Sequence, residues 1–410
     1  VADVKSSNNR SVRPLSLQDL GYALGGSRHH HQQQVVNQCV VQGQGVLSET
    51  ALQSAIAKVA QAMPACRMVM RSRWGLKCWV ADGPLPALKT IHYPWDGYTS
   101  DKLPFLDGAL DLFDGPVAEI IQVVSESTYL VFRIHHAVMD GVAANGFIRS
   151  FFRALRDETV SECSFLVNGE EFIQPEENLI HSTRRESALS PLGGLEDVDK
   201  GARSSLIWRR ISLQSSSLVI MPKVMLALAE IARGYSSGLV RFRMPVDLRR
   251  HLSGVNASGN LIGIILLDVD EKDSVRSLVK KLNRQLSERR DIPRRQPKWI
   301  QMLAQWIPFR LLELLAKYVV YQQMRTPHYH YSATLSSVTA ASLDDYTTEQ
   351  FTAKTLFGVP IAPMTSAVFV AICSNPQATE ITVGVNNKRV SQESLVKLCN
   401  ELQEQLLKQL

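Results

Sequence analysis

Two apolar runs, residues 117–124 and 128–134, are separated only by Ser125-Glu126-Ser127, and a helical pattern starts at Gly141 directly after them. The runs read as adjacent strands joined by a turn. From Gly141 the period lengthens: Phe147, Ile148, Phe151, Phe152 and Leu155 form an apolar stripe with Arg149, Arg153 and Arg156 off it. Strands that feed an amphipathic helix call for helices layered on a sheet, a mixed α/β (α+β) class.

The same alternation brackets this passage. A strand at 35–41 precedes a helix opened by Ser48, with Leu52, Ile56, Val59 and Met63 at helical spacing and Pro64 as its stop, followed by a strand pair at 68–71 and 76–80. Residues 157–203 lose periodicity and become rich in Glu, Ser, Asn and Gly, as a crossing connection does. Beyond it, strands at 206–213, 239–246 and 261–269 alternate with helices at 224–232 and 274–287, and strands at 331–338, 367–373 and 380–385 lead to a closing helix from Ser391. A chain of 410 residues is too long for one ordinary core. The expected division is therefore an N-terminal lobe at 1–157, a connection at 158–204 and a C-terminal lobe at 205–410. No fixed-period repeat is visible.

Composition narrows the function classes. Apolar residues make up 45% and charged residues 20%, a globular balance. The net charge of +6 is a mild excess over this length, so no nucleic-acid partner is expected, while acidic partners such as a coenzyme A phosphate or a carrier protein stay compatible. The densest basic stretch, Arg284, Arg289, Arg290, Arg294, Arg295 and Lys298, fits either a phosphopantetheine arm or a solvated helix end. Six cysteines without CxxC spacing, and no secretory h-region, point to reduced thiols and a cytoplasmic monomer. A first residue of Val is expected of a trimmed chain or of a piece of a longer one. The apolar segment 299–321 is interrupted by Gln301, Gln305, Pro308, Arg310, Glu313 and Lys317, so it fails as a membrane span. It reads as one or two buried or half-buried helices, with lipid contact as the alternative.

The chemistry concentrates in His135-His136-Ala137-Val138-Met139-Asp140-Gly141, where a strand gives way to a helix. A neutral imidazole there can take a proton from an amine or hydroxyl near pH 7. By spacing alone, adjacent histidines at a strand end are equally ordinary hydrogen-bonded residues, Asp140 an ordinary N-cap, and Gly141 a turn glycine. His29, His30 and His31 read as a solvated loop, and His328 and His330 as one polar sheet face. No metal site is expected, because adjacent histidines seldom reach one ion and no third ligand is evident.

The heptapeptide resembles the H-H-x-x-x-D-G motif of the acyltransferase/condensation superfamily, which contains non-ribosomal peptide synthetase condensation domains, polyketide-associated acyltransferases and wax-ester/diacylglycerol acyltransferases. Met244-Pro245-Val246-Asp247-Leu248-Arg249 resembles that family's V-D-L-R segment, about a hundred residues downstream. Arg13-Pro14-Leu15-Ser16-Leu17-Gln18-Asp19, Gly259-Asn260 and the last strand and helix extend the likeness over most of the chain. Leu335-Ser336-Ser337-Val338 departs from the Ser-Asn-x-Gly-like stretch of many relatives, which leaves Ser336 and Ser337 without an assigned oxyanion role.

The resemblance implies two chloramphenicol acetyltransferase-like lobes in a V-shaped pseudo-dimer with a tunnel between them. It implies His136 as catalytic base, with His135, Asp140, Gly141 and Arg249 supporting and Asp140 paired to Arg249. The reaction implied is transfer of an acyl group from a phosphopantetheine-linked thioester, on a carrier protein or coenzyme A, to a small-molecule amine or alcohol, with no permanently bound cofactor. Two alternatives stay open: a catalytically silent module that binds carrier proteins, and a lipid-forming acyltransferase, for which 299–321 would be the suggestive segment.

Overall fold

The structure, a computed structural model of the chain, describes residues 12–25, 35–73, 76–101, 103–167, 187–194, 206–214, 219–252, 256–293, 298–326, 328–339, 342–363 and 365–409. His29 to His31, Arg294, Arg295 and most of the 158–204 connection lie outside the described residues.

The first half runs β1 (Val12–Pro14), α1 (Leu17–Leu24), β2 (Val36–Gln44), α2 (Glu49–Ala62), β3 (Val69–Arg73), β4 (Leu76–Val80), β5 (Ala87–His92), β6 (Ala118–Val124), β7 (Thr128–His135) and α3 (Gly141–Leu155). The second half runs β8 (Leu206–Leu213), α4 (Ile220–Tyr235), β9 (Arg241–Asp247), β10 (Ile262–Asp268), α5 (Val275–Ser287), α6 (Lys298–Trp306), α7 (Phe309–Arg325), β11 (Tyr331–Thr339), β12 (Thr352–Val359), β13 (Ser366–Ser374), β14 (Thr379–Asn386) and α8 (Gln392–Gln409). Among the described residues these form a five-stranded sheet in the order β12-β2-β7-β6-β5, a six-stranded sheet in the order β10-β9-β11-β13-β14-β8, and a small sheet β1-β4-β3.

Each large sheet has its own core. Val41, Ile120, Leu130 and Phe132 of the first sheet pack beneath Leu52, Ile56 and Val59 of α2 and Phe147, Phe151 and Phe152 of α3. In the second, Phe242, Met244, Val368 and Val370 pack beneath residues of α4 and α8 such as Val224, Leu228, Leu398 and Leu402. The other face of the first sheet is also covered: Val40, Ile121, Val123 and Val131 share a third core with Trp95, Phe357 and Trp208 of β8. Burial on both faces is the reason 117–124 and 128–134 read as continuous apolar runs rather than alternating ones. A polar network accompanies this joint: Arg210 lies 3.6 Å from Glu380, and the Thr355 hydroxyl donates to the same carboxylate at 2.8 Å.

The boundary expected at 205 is crossed by part of the chain. Tyr346, Phe351, Ala353 and Leu356 belong to the first core, and β12 lies antiparallel to β2 with Leu356 opposite Val41. The crossing needs a close backbone approach at the end of β2. Gly45 has φ +100°, and a Cβ there would lie 2.0 Å from the Gln350 carbonyl oxygen, so only glycine fits. The two lobes are thus knitted by a strand that the sequence did not mark.

The segment 299–321 forms two half-buried helices: Ala304, Phe309 and Leu312 pack against the first core, while the larger apolar face lies outward. Trp299, Met302, Leu303 and Trp306 of α6 are 51–62% exposed, and Leu311, Leu314, Leu315, Tyr318 and Val319 of α7 are 48–64% exposed. The spacing i, i+3, i+4, i+7 did mark one face of each helix, but that face points outward. No helix among the described residues is long and apolar enough to cross a membrane.

Candidate active site at the seam between lobes

The loop that follows β7 is held by hydrogen bonds at several backbone groups. The His136 N–H donates to the Val35 carbonyl at 2.9 Å, and the Val138 N–H to the His135 carbonyl at 3.0 Å. The Ala137 N–H donates to His135 Nδ1 at 3.1 Å, which makes His135, fully buried, a brace for the turn. Asn37 donates to the Met139 carbonyl at 2.6 Å, and Asn260 Nδ2 to the Ala137 carbonyl at 3.0 Å. Each bond closes a polar group that would otherwise cost about 1–3 kcal/mol to bury unpaired.

Asp140 ends the loop as the N-cap of α3, accepting from the Ala143 N–H at 2.8 Å. Its other oxygen, Oδ2, accepts from Arg249 Nη1 at 3.0 Å and from the Leu261 N–H at 2.8 Å, so a fully buried carboxylate has three donors from both lobes. Arg249 follows β9 in a short 3-10 turn and is equally committed. It also donates to Asp247 at 2.8 Å and to the carbonyls of Ala257 and Gly259 at 2.7 and 2.8 Å. Burial pulls its pKa down, but the charges of Asp140 and Asp247 more than offset this and leave it raised. The structure therefore brings His135, His136, Asp140, Gly141 and Arg249 into one cluster, with Arg249 acting on the loop through Asp140.

The N-terminal likeness around Arg13 and Asp19 converges on the same place. Asp19 forms a capping box with Ser16, accepts from Trp79 Nε1 at 3.1 Å, and lies 3.1 Å from the buried Arg13 guanidinium. Its Oδ1 accepts from Asn260 Nδ2 at 3.0 Å, so α1, β4 and the stretch after Arg249 all brace the His136 loop.

His136 itself differs from its neighbours. Its ring stacks on Tyr22 of α1 with centroids 3.9 Å apart and planes 19° from parallel, and the residue is 9% exposed. Nδ1 is buried and has no hydrogen-bond partner among the described residues. Burial drives the pKa of the ring below 6.5; the residue's own carbonyl, the Asp140 charge and the Asn260 side chain act the other way, and the Arg243 charge adds to the fall. The imidazole is accordingly neutral at pH 7. Burial likewise holds the Tyr22 phenol above its ordinary value.

Gly141 is the first residue of α3, and a Cβ built there meets nothing within 4 Å. Neither a strained backbone angle nor crowding by this chain requires glycine, so the residue leaves open space at the first turn of α3. Tyr22 and Arg243 were not singled out in the sequence. Tyr22 sits three residues past the Arg13–Asp19 segment and Arg243 on the strand leading to Arg249, so only the segments, not these side chains, carried a signal.

Other candidates fall away. Burial pushes the thiols of Cys66, Cys373 and Cys399 up to about 12, which removes them as nucleophiles near neutral pH. Ser336 and Ser337 lie on β11, opposite Ala371 and Ile372 of β13. No group of His, Cys, Asp or Glu among the described residues is arranged to hold a metal ion. A cavity of about 570 Å³ between β10, α5 and the 290–293 turn shares no lining residue with the His136 loop. Its cations are each paired with an acid, as Arg241 is with Asp268 and Lys281 with Asp270 and Asp273.

The sequence matches no family model and no curated protein. The fold does have relatives among solved structures. A starter condensation domain of rhizomide synthetase RzmA, a double mutant in complex with C8-CoA, matches with TM-score 0.66 and 14% identity over 97% of this chain and 95% of that one. The condensation domain of the monacolin K polyketide synthase MokA matches with TM-score 0.62 and 12% identity, over 97% and 96%. An epimerization domain from tyrocidine synthetase B matches with TM-score 0.57 and 14% identity, over 98% of both. The chain thus has the two-lobed, mixed α/β fold of the condensation and epimerization domains of peptide and polyketide synthetases.

Proposed function

We propose that this chain is an acyltransferase that moves an acyl group from a phosphopantetheine thioester, carried by coenzyme A or a carrier protein, to an amine or hydroxyl. The observation that carries the reading is His136: a buried, neutral imidazole stacked on Tyr22, in a loop that hydrogen bonds from both lobes brace. Reactant positioning of this kind is worth most when the catalytic group has little freedom of its own.

The chemistry follows from that placement. A ring nitrogen of His136 accepts the proton of the attacking amine or hydroxyl as the new C–N or C–O bond forms at the thioester carbonyl. Asp140 and the Asn260 side chain favour the imidazolium that results. As the C–S bond breaks, the thiolate takes that proton back, so the products are amide or ester and free thiol. Asp140 and Arg249 fix the loop as positioning residues. The space at Gly141 suits the reacting portion of a substrate at the N terminus of α3, where helix polarity favours developing negative charge on the carbonyl oxygen. The C8-CoA held by the rhizomide synthetase domain is in keeping with an acyl thioester donor.

Intact-mass measurement after incubation with a panel of acylated carriers and coenzyme A esters, each with amine and alcohol acceptors, tests the reading. Release of free thiol with a matching acylated product is expected from at least one pair. Carrier binding with no transfer across the panel would replace the proposal with a silent docking module.

A further inference from the structure

The helices α6 and α7 follow one another across Ile307-Pro308, and each turns an apolar face outward. Trp299, Met302, Leu303 and Trp306, then Leu311, Leu314, Leu315, Tyr318 and Val319, repeat at i, i+3, i+4 and i+7 on the solvent side of both helices. Together they expose on the order of 1,000 Å², well beyond the few hundred Å² usual for one apolar patch on a monomer. The inner sides pack a few apolar residues, Ala304, Phe309 and Leu312, against the first core and add polar anchors. Lys77 Nζ donates to the carbonyls of Ala304, Gln305 and Ile307 at the end of α6 at 3.1, 2.6 and 2.7 Å. Gln305 bridges to Leu15 and Lys77, and Arg389 caps α7 by donating to the carbonyls of Gln323 and Thr326 at 2.7 and 2.8 Å. Both helices are therefore tied down with their apolar stripes outward.

Charge singles out the same segment. Residues 289–325 contain eight Lys and Arg against Asp291 and Glu313, a net of +6 that equals the formal net charge of the whole chain. Both acids are buried and paired, Asp291 with Arg250 and His251 and Glu313 with Lys317, and Glu288 just before the segment pairs with Arg290, which leaves Arg310 and Arg325 as exposed cations on α7. The stripe offers no polar side chain except Trp and Tyr, whereas a protein interface of this size needs several hydrogen bonds. Trp and Tyr among aliphatic residues with a cationic margin is the chemistry of the headgroup boundary of an anionic bilayer.

We infer that the α6–α7 face docks the protein on an anionic lipid surface, with Trp299, Trp306 and the Leu311 to Val319 stripe entering the headgroup boundary and Arg310 and Arg325 at its margin. The docking does not rest on the acyl-transfer reading. Co-sedimentation of the full chain with sucrose-loaded vesicles of phosphatidylcholine, with or without about one third phosphatidylglycerol, tests it. Pelleting with the anionic vesicles is expected to fall at least about ten-fold on neutral vesicles, in roughly 0.5 M salt, or in a Trp306→Glu/Leu315→Glu variant of unchanged circular dichroism. His136→Ala should pellet as the wild type does. No pelleting, or equal pelleting by the double variant, overturns the inference. So does a dimer, or a complex with an acidic carrier protein, that the double variant disperses while vesicles stay unbound; either would make the stripe a protein interface.

Discussion

Replacing Arg249 by Ala removes a guanidinium that donates to Asp140, Asp247 and two carbonyls, and leaves Asp140 with only the N–H groups of Ala143 and Leu261. Truncating one partner of a buried ion pair costs roughly 3–5 kcal/mol, because the other charge stays behind in a poor solvent. The two remaining donors place this case near the lower end, about 3 kcal/mol. Asp140→Ala loses an N-cap, about 1 kcal/mol, and strands the buried Leu261 N–H, about 1–3 kcal/mol more. In the double variant no buried carboxylate is left unpaired, so its loss should fall short of the sum by about 1.5–3 kcal/mol. Urea unfolding of the four proteins gives the cycle, and Arg249→Ala alone should melt about 3–4 °C lower. Losses that add to within about 0.5 kcal/mol would show that the contact holds nothing together, and the account of the loop would be wrong.

The pH dependence of kcat/KM should keep its acid limb below 6.5, since burial depresses the His136 pKa and its neutral form persists as pH falls; a limb at or above 6.5 contradicts this. The same depression means stability is complete above 6.5 and declines as pH falls below it, where the unfolded chain binds a proton that the native ring does not, so wild type should lose more stability than His136→Ala in that window. Arg243→Ala removes a charge that lowers the His136 pKa, so the acid limb should move upward and return with Arg243→Lys; an unmoved limb would detach Arg243 from the site. Gly141→Ala should change stability by no more than about 0.5 kcal/mol, because the added methyl meets open space, yet raise KM several-fold; a large stability loss with unchanged KM would make the glycine structural.

The parts of this fold that were legible are those whose signal is local. Ser48 does cap α2, accepting from the Ala51 N–H at 3.2 Å, and 206–213 is a strand to the residue, because caps and apolar runs are written in neighbouring positions. The strand β12 was missed because its identity depends on pairing with β2, some three hundred residues away in sequence, through an approach that Gly45 permits. The outward turn of α6 and α7 was missed for a related reason: periodicity marks which face of a helix is apolar, whereas tertiary contacts of the other face, with Lys77, Gln305, Arg389 and the first core, decide which way it points. At the site, the heptapeptide and the segment ending at Arg249 were visible as motifs, whereas the stacking of Tyr22 on His136 is a tertiary contact with no sequence period.

The central claim is that the His136 imidazole takes the acceptor's proton. It is tested most directly by the single-turnover rate of acyl transfer in His136→Ala, with donor and acceptor saturating and circular dichroism matched to wild type. A fall of about two to four orders of magnitude is the result this account requires. A folded variant that transfers the acyl group within a few-fold of the wild-type rate would contradict it.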